Sequence, residues 1–550
     1  MKQNPSDARG RVLAGVAIAL VVFGLQLAAG PYSGGLTRHQ SDEPANYVSG
    51  VMAYEYLVQG LPSSPIEFAS DYYLHYPAVA IGHWPPMLYA VQAGAYMLAG
   101  PSLETALALN GLLTALAGWL FFCLLRPFLP FWTTLTACVL FVAAKDMQQM
   151  TARVMAEPLM VLLALLAVCF LCRFVDTERP RALIAFGFWA GLAVLTKAVA
   201  WSLAPLPVAT VFLLRRFDWF RNKNFWAAHA VLLALCAPWE ISMSKAVSAG
   251  FVDTRAEPLL ARFGAMVANL NLQLGWPITV LGIAGSALVV WRVWRGDSEI
   301  RALAPLAVLP ATVCGLFLVA PVPASSRYLI LLVPSLVALG AVLLHDLSRR
   351  FAAGRRAALV AAMGLLLLTA PWLRTYPKIF GGFDEVARLL LSEKYSRHRV
   401  SLISSQAGGE VILVAEAARI ENPPTHYLLR ASKFLASTSW MNAGPYNPHV
   451  ASVSETSDRV LGPPVSLVIL HDDRPGRELK HHQLLREMVE SNPDQWTLRE
   501  TMSVEGIDPG KPGSVQLYEL TDFEKYPRGP IQIDMTYTLG RKIGHTPDDH

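Results

Sequence analysis

"GHWPPMLYAVQAGAYMLAG", residues 82–100, decides how this chain is threaded. The piece from Trp84 to Gly100 is apolar throughout. If it crossed a membrane, every later segment would change sides. It stands among many such runs. From about residue 12 to residue 373, apolar stretches of roughly 17–24 residues recur, each long enough to cross a ~30 Å hydrocarbon core as a helix. Hydrophobic residues make up 53% of the 550-residue chain and charged residues only 16%, where soluble domains carry about a quarter charged. From residue 376 onward the charge deficit disappears. The reading is a polytopic α-helical membrane domain, residues 1–375, followed by a soluble α/β domain, residues 376–550.

Basic loops set the threading. Four are rich in Arg and Lys: "CRFVDTERPR" (172–181), "RRFDWFRNK" (215–223), "WRVWRGDSEIR" (291–301) and "HDLSRRFAAGRR" (345–356). Such loops stay cytoplasmic. Two apolar runs separate each from the next: 182–197 and 198–214, 225–241 and 269–290, 303–320 and 328–344. A further run, 357–373, carries the chain outward, so residues 376–550 are expected outside. Backwards from Arg173, the run 158–172 descends, 131–144 rises, 106–125 descends, and 12–29 rises as an uncleaved first span. That leaves 30–104 as one external loop. Parity then forbids 84–100 from crossing, and the piece is predicted to be re-entrant or to lie on the surface. The expectation is about eleven spans in the plasma (inner) membrane, with a cytoplasmic N-terminus and a periplasmic C-terminal domain. The net charge of +5 is small and sits in short loops, which excludes a nucleic-acid partner. All six cysteines, including Cys169 and Cys172, fall in apolar runs and read as packing.

The remaining charges gather on one side: Asp42, Glu43, His75 and His83 in the first external loop, Lys145, Asp146, Arg153 and Glu157 in the second, Lys197 at a span end, and Arg327 before a late span. Transporters keep their sites near the midplane on broken helices. A site at one face suits an enzyme whose substrate lies in the lipid. "SDEPANY" (41–47) has a plainer reading as well. Pro44 suits the first helical position and Glu43 the N-cap. The helix would run 44–59 and stop at Gly60, with Tyr47, Val51, Tyr54 and Val58 on one face, as on a membrane surface. On these residues alone, cap and chemistry stay open.

Six pieces in order carry a resemblance: "SDEPANY", "GHWPPMLYAVQAGAYMLAG", "TARVMAEPLMVLLALLA" (151–167), "AGLAVLTKAVAWSLAPLP" (190–207), "LCAPWE" (235–240) and "SSRYLILLVPSLVALGA" (325–341). Together they resemble the GT-C glycosyltransferases, in the protein O-mannosyltransferase and aminoarabinose-transferase-like branches. The family's usual Lys before the double proline is Trp84 here, and its small residue after the acidic pair is Pro44. The resemblance implies inverting transfer of a sugar from a polyprenyl-phosphate donor to a hydroxyl of a lipid, glycan or protein in the cell envelope. It puts Asp42 in place as general base, with Glu43 as the alternative. Glu157 would orient the acceptor or assist the base, or merely cap its helix. The leaving phosphate needs fixed cations, for which Lys197, Arg153 and Arg327 are the candidates. Interface anchoring and snorkelling are their other readings. His83, Trp84, Tyr89 and His75 are candidate substrate contacts. His75 and His83, with Asp71 and Asp42, have the chemistry for a divalent ion, but their spacing is no known ligand pattern. No metal or other cofactor is expected to be required. A flippase or transporter for lipid-linked glycans, or a non-catalytic assembly protein, are the alternative functions.

The soluble part alternates strand-like and helix-like stretches: a strand at 399–405, a helix at 408–420, strands at 426–436 and 465–473, a helix at 481–493, and two closing strands. The tail after Phe523 reads as polar and extended. Ser404, Ser405, Gly408 and Gly409 form a strand-to-helix turn without a nucleotide fingerprint. "LHDD" (470–473) ends a strand, as a binding point or a plain loop.

Overall fold

The computed structural model describes residues 5–37, 42–244, 258–320, 325–350, 374–406, 408–437, 446–463, 465–472, 479–505, 512–526 and 529–546. Seven helices are long and apolar enough to cross a membrane: Ala8–Ala28, Leu103–Leu125, Glu157–Thr177, Lys223–Ser242, Leu259–Trp294, Arg301–Val319 and Ser326–Arg349. Phe131–Val142, Pro180–Val194 and Ala198–Leu214 are apolar but shorter. These ten coincide with ten of the expected spans, and the eleventh, 357–373, lies outside the described residues. The protein is therefore multi-pass, but eleven crossings are not established.

The first loop carries its own helices. After α1 (Pro5–Ala28) come α2 (Asp42–Val58), α3 (Pro65–His75) and α4 (Met87–Ala99). The apolar piece at 84–100 forms α4, a helix of 13 residues. At 1.5 Å per residue it is about 20 Å long, shorter than a ~30 Å core, as is the 12-residue Phe131–Val142. Pro85 and Pro86 precede α4, and Gly100, at φ +87°, ends it. α2 begins two residues before the expected helix and stops before Gly60, at φ +75°. Tyr47, Val48 and Val51 are fully buried, because α4 packs on one side of α2 and the helix Gly409–Ile420 of the C-terminal domain on another. Of the apolar face expected to meet lipid, Tyr47 and Val51 meet protein, whereas Val58 stays exposed.

Close helix packing rests on small residues. The helix Leu259–Trp294, kinked at Gly275 ahead of Pro277, runs along Leu332–Arg350. A Cβ on Gly285 would stand 2.0 Å from the Leu339 carbonyl oxygen, so the two backbones touch only where a side chain is missing.

The C-terminal domain is built on strands β1 (Val400–Ser405), β2 (Tyr427–Arg430), β3 (Ala436–Ser437), β4 (Asn447–Pro448), β5 (Leu467–Asp472), β6 (Trp496–Val504), β7 (Gly513–Leu520), β8 (Ile531–Met535) and β9 (Arg541–His545). The main sheet has the order β2-β1-β5-β7-β6. β1 is parallel to β2 and β5, while β7 runs antiparallel to β5 and β6. The strand expected over 426–436 stops at Arg430, and Ala431–Phe434 is a helical turn. The tail is not simply extended. β8 and β9 pair as a hairpin, with Ile531, Ile533 and Ile543 turned inward, the alternation of a strand with one buried face.

The chain entering this domain is stitched to the first loop. Thr37 bridges Phe380. The Lys378 N–H donates to the Ala29 carbonyl at 2.8 Å, and Gly381 N–H to Leu36 at 2.9 Å.

Candidate active site

Four segments far apart in sequence meet at one small cleft. α2 brings Asp42, the turn before α4 brings Trp84, and α4 brings Tyr89. Glu157 stands in the first turn of Glu157–Thr177, next to Pro158, where a helix dipole favours a carboxylate. Lys197 follows the break after Pro180–Val194. Its backbone is extended at φ −160°, ψ 134°, which turns its side chain off the helix axis toward the cleft. Arg327 and Tyr328 lie beside it in the 3-10 turn Ser326–Leu331.

Two ion pairs form there. Arg327 donates to Asp42, and Lys197 to Glu157. Lys197 thus reaches a buried carboxylate. The Tyr328 ring serves both cations, with the Lys197 ammonium 5.1 Å and the Arg327 guanidinium 5.0 Å from its centroid. Glu157 is fully buried, and its second oxygen, Oε2, has no hydrogen-bond partner among the described residues. A carboxylate with an unused acceptor, at the wall of a cleft, is placed to receive a hydroxyl.

Supporting bonds fix the frame. The Tyr89 hydroxyl donates to Asn46 Oδ1 at 3.3 Å, and Asn46 Nδ2 donates to the Val154 carbonyl at 3.0 Å. Arg153 is buried, with its carbonyl held by Asn110 at 2.6 Å. Among the described residues its guanidinium forms no ion pair, although Glu43 and Asp146 are its charged neighbours. Sequence reasoning gave no role to Asp146, Gln273 or Tyr328. Buried Asp146 accepts from Gln273 Nε2 at 3.0 Å, and the same amide holds the Ser326 carbonyl. This string fixes the turn that carries Arg327. A lone glutamine inside an apolar span was the available signal for it.

Not every candidate is in the cleft. His83 packs beside Trp84, ring centroids 5.8 Å apart. His75 lies elsewhere, stacked on Tyr427 at 3.9 Å with Nδ1 3.2 Å from the His426 carbonyl, at the contact of α3 with β2. Among the described residues no three His, Cys, Asp or Glu side chains are grouped to hold a metal ion.

Glu43 is not among the residues that line the cleft, and among the described residues it caps nothing in its own helix. It is fully buried. It accepts from Thr37 N–H at 2.8 Å, Val154 N–H at 3.1 Å and the Lys378 ammonium at 2.8 Å. Lys378 is as completely enclosed as Glu43. Glu43 therefore joins the first loop, the second loop and the start of the C-terminal domain.

Residues 83–241 match the family model described as dolichyl-phosphate-mannose-protein mannosyltransferase. No curated protein sequence matches the chain. Among solved structures it is similar to ArnT from Cupriavidus metallidurans bound to undecaprenyl phosphate, at 16% identity and a TM-score of 0.53 over 94% of this chain and 99% of that one. It is similar also to the archaeal oligosaccharyltransferase AglB from Archaeoglobus fulgidus, in complex with an inhibitory peptide and a dolichol-phosphate, at 13% identity and a TM-score of 0.53 over 85% of this chain and 70% of that one. The chain is thus a multi-pass membrane protein that shares the fold of these solved glycosyltransferases along most of its length, with residues 83–241 matching the mannosyltransferase family model.

Proposed function

We propose that this protein moves a sugar from a polyprenyl-phosphate carrier to an acceptor hydroxyl at the cleft. The observation that carries the reading is the meeting of Asp42, Glu157, Lys197 and Arg327 around Tyr328, in a fold whose solved relatives hold lipid phosphates. The acceptor oxygen attacks the anomeric carbon, the bond from that carbon to the carrier phosphate oxygen breaks, and the hydroxyl proton passes to Asp42. The electron pair stays on the phosphate, which leaves as the bare carrier. A single displacement inverts the anomeric centre.

Arg327 has two duties in this scheme. At rest it neutralises Asp42. When the donor binds, its guanidinium turns to the carrier phosphate together with Lys197 and Arg153, and Asp42 is released as a base. Fixed cations in a water-poor cleft stabilise the charge that grows on the leaving group, so the reaction needs no metal or other cofactor. Glu157 Oε2 orients the acceptor hydroxyl. Trp84 and Tyr89 face the sugar, and His83 backs Trp84. His75 takes no part. The cleft opens on the outer, periplasmic face of the plasma membrane, with the N-terminus in the cytoplasm.

The test is transfer by the purified protein from a panel of radiolabelled polyprenyl-phosphate sugars, with Asp42→Asn beside it. Product from the wild type and none from the variant is the expected result. Full transfer by Asp42→Asn would remove the assigned base. An alkaline-phosphatase fusion at residue 376 checks the sidedness, and an inactive fusion would place the C-terminal domain inside.

A further inference from the structure

The half of the helix Leu259–Trp294 that precedes its kink takes no direct part in the chemistry above. Residues 259–274 turn one narrow stripe inward. Arg262, Met266, Leu270, Gln273 and Leu274 are buried, while Leu259, Leu260, Phe263 and Leu272 are exposed. Spacings of three and four residues put the buried side chains on a single face. Two of them are polar and stand near its ends, about 16 Å apart at 1.5 Å per residue.

Arg262 closes the end of a neighbouring helix. Its guanidinium donates to the carbonyls of Phe317 at 2.5 Å, Leu318 at 3.0 Å and Ala320. These belong to the last turn and C-cap of Ala304–Val319, where carbonyls have no partner in their own helix and a cation is favoured. The donors of a rigid fork serve three carbonyls together, which a lysine head does not.

Gln273 holds the next element. Its Nε2 carries two hydrogens. One goes to Asp146 Oδ2 at 3.0 Å and the other to the Ser326 carbonyl. Both partners are acceptors, which fixes the amide this way round. Its Oε1 is buried without a hydrogen-bond partner among the described residues. A leucine would fill similar space without that cost, so what the glutamine adds is the two bonds.

The two grips bracket one piece of chain. The first fixes where the backbone leaves Ala304–Val319, and the second where it enters the turn Ser326–Leu331. Arg327 and Tyr328 follow directly. Asp146 ties the second grip to the second external loop and has Arg327 among its charged neighbours. Neither Arg262 nor Gln273 lines the cleft. Gly275, at φ +69°, breaks the helix two residues after Gln273. The break aims residues 259–274 separately from the rest of the span, through a backbone conformation that glycine adopts without strain.

We infer that residues 259–274 are a positioning clamp for the cleft. Gln273 and Arg262 hold both ends of the connection that delivers Arg327 and Tyr328. They thereby set where the guanidinium stands between Asp42 and an incoming carrier phosphate. Neither touches substrate. The consequence for the carrier rests on the transfer reading, whereas the clamp itself does not.

The test uses the full chain in nanodiscs and two readouts. Hydrogen exchange of the amides of 326–331 needs no substrate. It is expected to quicken in Gln273→Leu and in Arg262→Lys, with exchange across Glu157–Thr177 unchanged. Titration with radiolabelled undecaprenyl phosphate reads the consequence. Gln273→Leu is expected to weaken binding about tenfold and Arg262→Lys about threefold. In an Arg327→Ala background neither should add more than about twofold, because both act through that side chain. Unchanged exchange in both variants overturns the inference. Faster exchange with unchanged affinity also overturns it, as does an equal loss of affinity with and without Arg327→Ala. Arg262→Lys keeps the test open if Gln273→Leu does not fold. A wild type that fails to bind the carrier would sink the transfer reading instead, and the exchange result would still decide the clamp.

Discussion

Asp42 and Glu43 are neighbours in the chain, yet they belong to two different regions. Asp42 faces the cleft and is partly open, paired with one cation that a substrate can draw away. Glu43 faces the joint beneath the C-terminal domain, where three donors and complete burial leave it nothing to do but hold. In the cleft, Glu157 keeps an unused oxygen and Tyr328 is shared by two cations. The joint satisfies its charges, and the cleft keeps some of its bonding capacity in reserve. The difference separates a carboxylate that builds from one that can react.

The sharpest way to break this contrast is Asp42→Asn, which keeps the size of the side chain and removes the base. Transfer is expected to fall ~10²–10⁴-fold, with the protein's level and unfolding temperature unchanged. Lys378→Met attacks the other region. It leaves Glu43 buried without its cation, and breaking such a pair costs about 3–5 kcal/mol. Thermal unfolding in detergent should show that loss, while turnover per folded molecule stays within about twofold. If Lys378→Met stopped transfer at full stability, the two regions would not be distinct.

A smaller effect tests the joint through pH. Tyr76 of the first loop, with Thr425 and His426, donates to Glu421. Burial alone would raise the Glu421 carboxyl, but these bonds and the His426 charge outweigh it and hold it at about 2, below the ordinary 4.5. A depressed carboxyl stabilises fully above its unfolded value. That contribution is lost as pH falls from 4.5 through about 2. Glu421→Gln should therefore cost about 1–2 kcal/mol at neutral pH, after screening by water, and its unfolding curve should converge on that of the wild type in acid. The smallest change is expected in the cleft from Tyr328→Leu. Losing one ring under two cations is worth ~1 kcal/mol, read as a roughly fivefold rise in the donor KM with kcat nearly kept.

Much of this organisation could be read in the chain. Apolar runs bounded by Arg-rich loops located ten helices, and parity alone marked 84–100 as too many by one. The burial of α2 was not readable in the same way. A stripe such as Tyr47 and Val51 says that a face is covered, but not whether lipid or the helix Gly409–Ile420 covers it. Asp42, Glu157, Lys197 and Arg327 were named as charges gathered at one membrane face and given roles by the family resemblance. Which acid meets which base depends on how segments 40 and 285 residues apart line up, and a local pattern does not carry that. The same limit hid the Asp146–Gln273–Ser326 string and sent His75 to the wrong neighbours. Its aromatic surroundings suit a sugar platform and a domain contact equally well, and the stack on Tyr427 makes it the second.

The joint also has a place in time. Glu43 and Lys378 are 335 residues apart, so during synthesis the carboxylate emerges long before the cation that forms its ion pair among the described residues. Until Lys378 arrives, closing the loop would bury a carboxylate that lacks its ion-pair partner and keeps only the Thr37 and Val154 N–H groups and the neighbouring Arg153, which the surrounding protein disfavours. The first loop can therefore lock only onto a chain whose intervening helices have all been made. One ion pair acts as the last stitch of assembly and reports, by its closure, that the membrane part beneath it is complete.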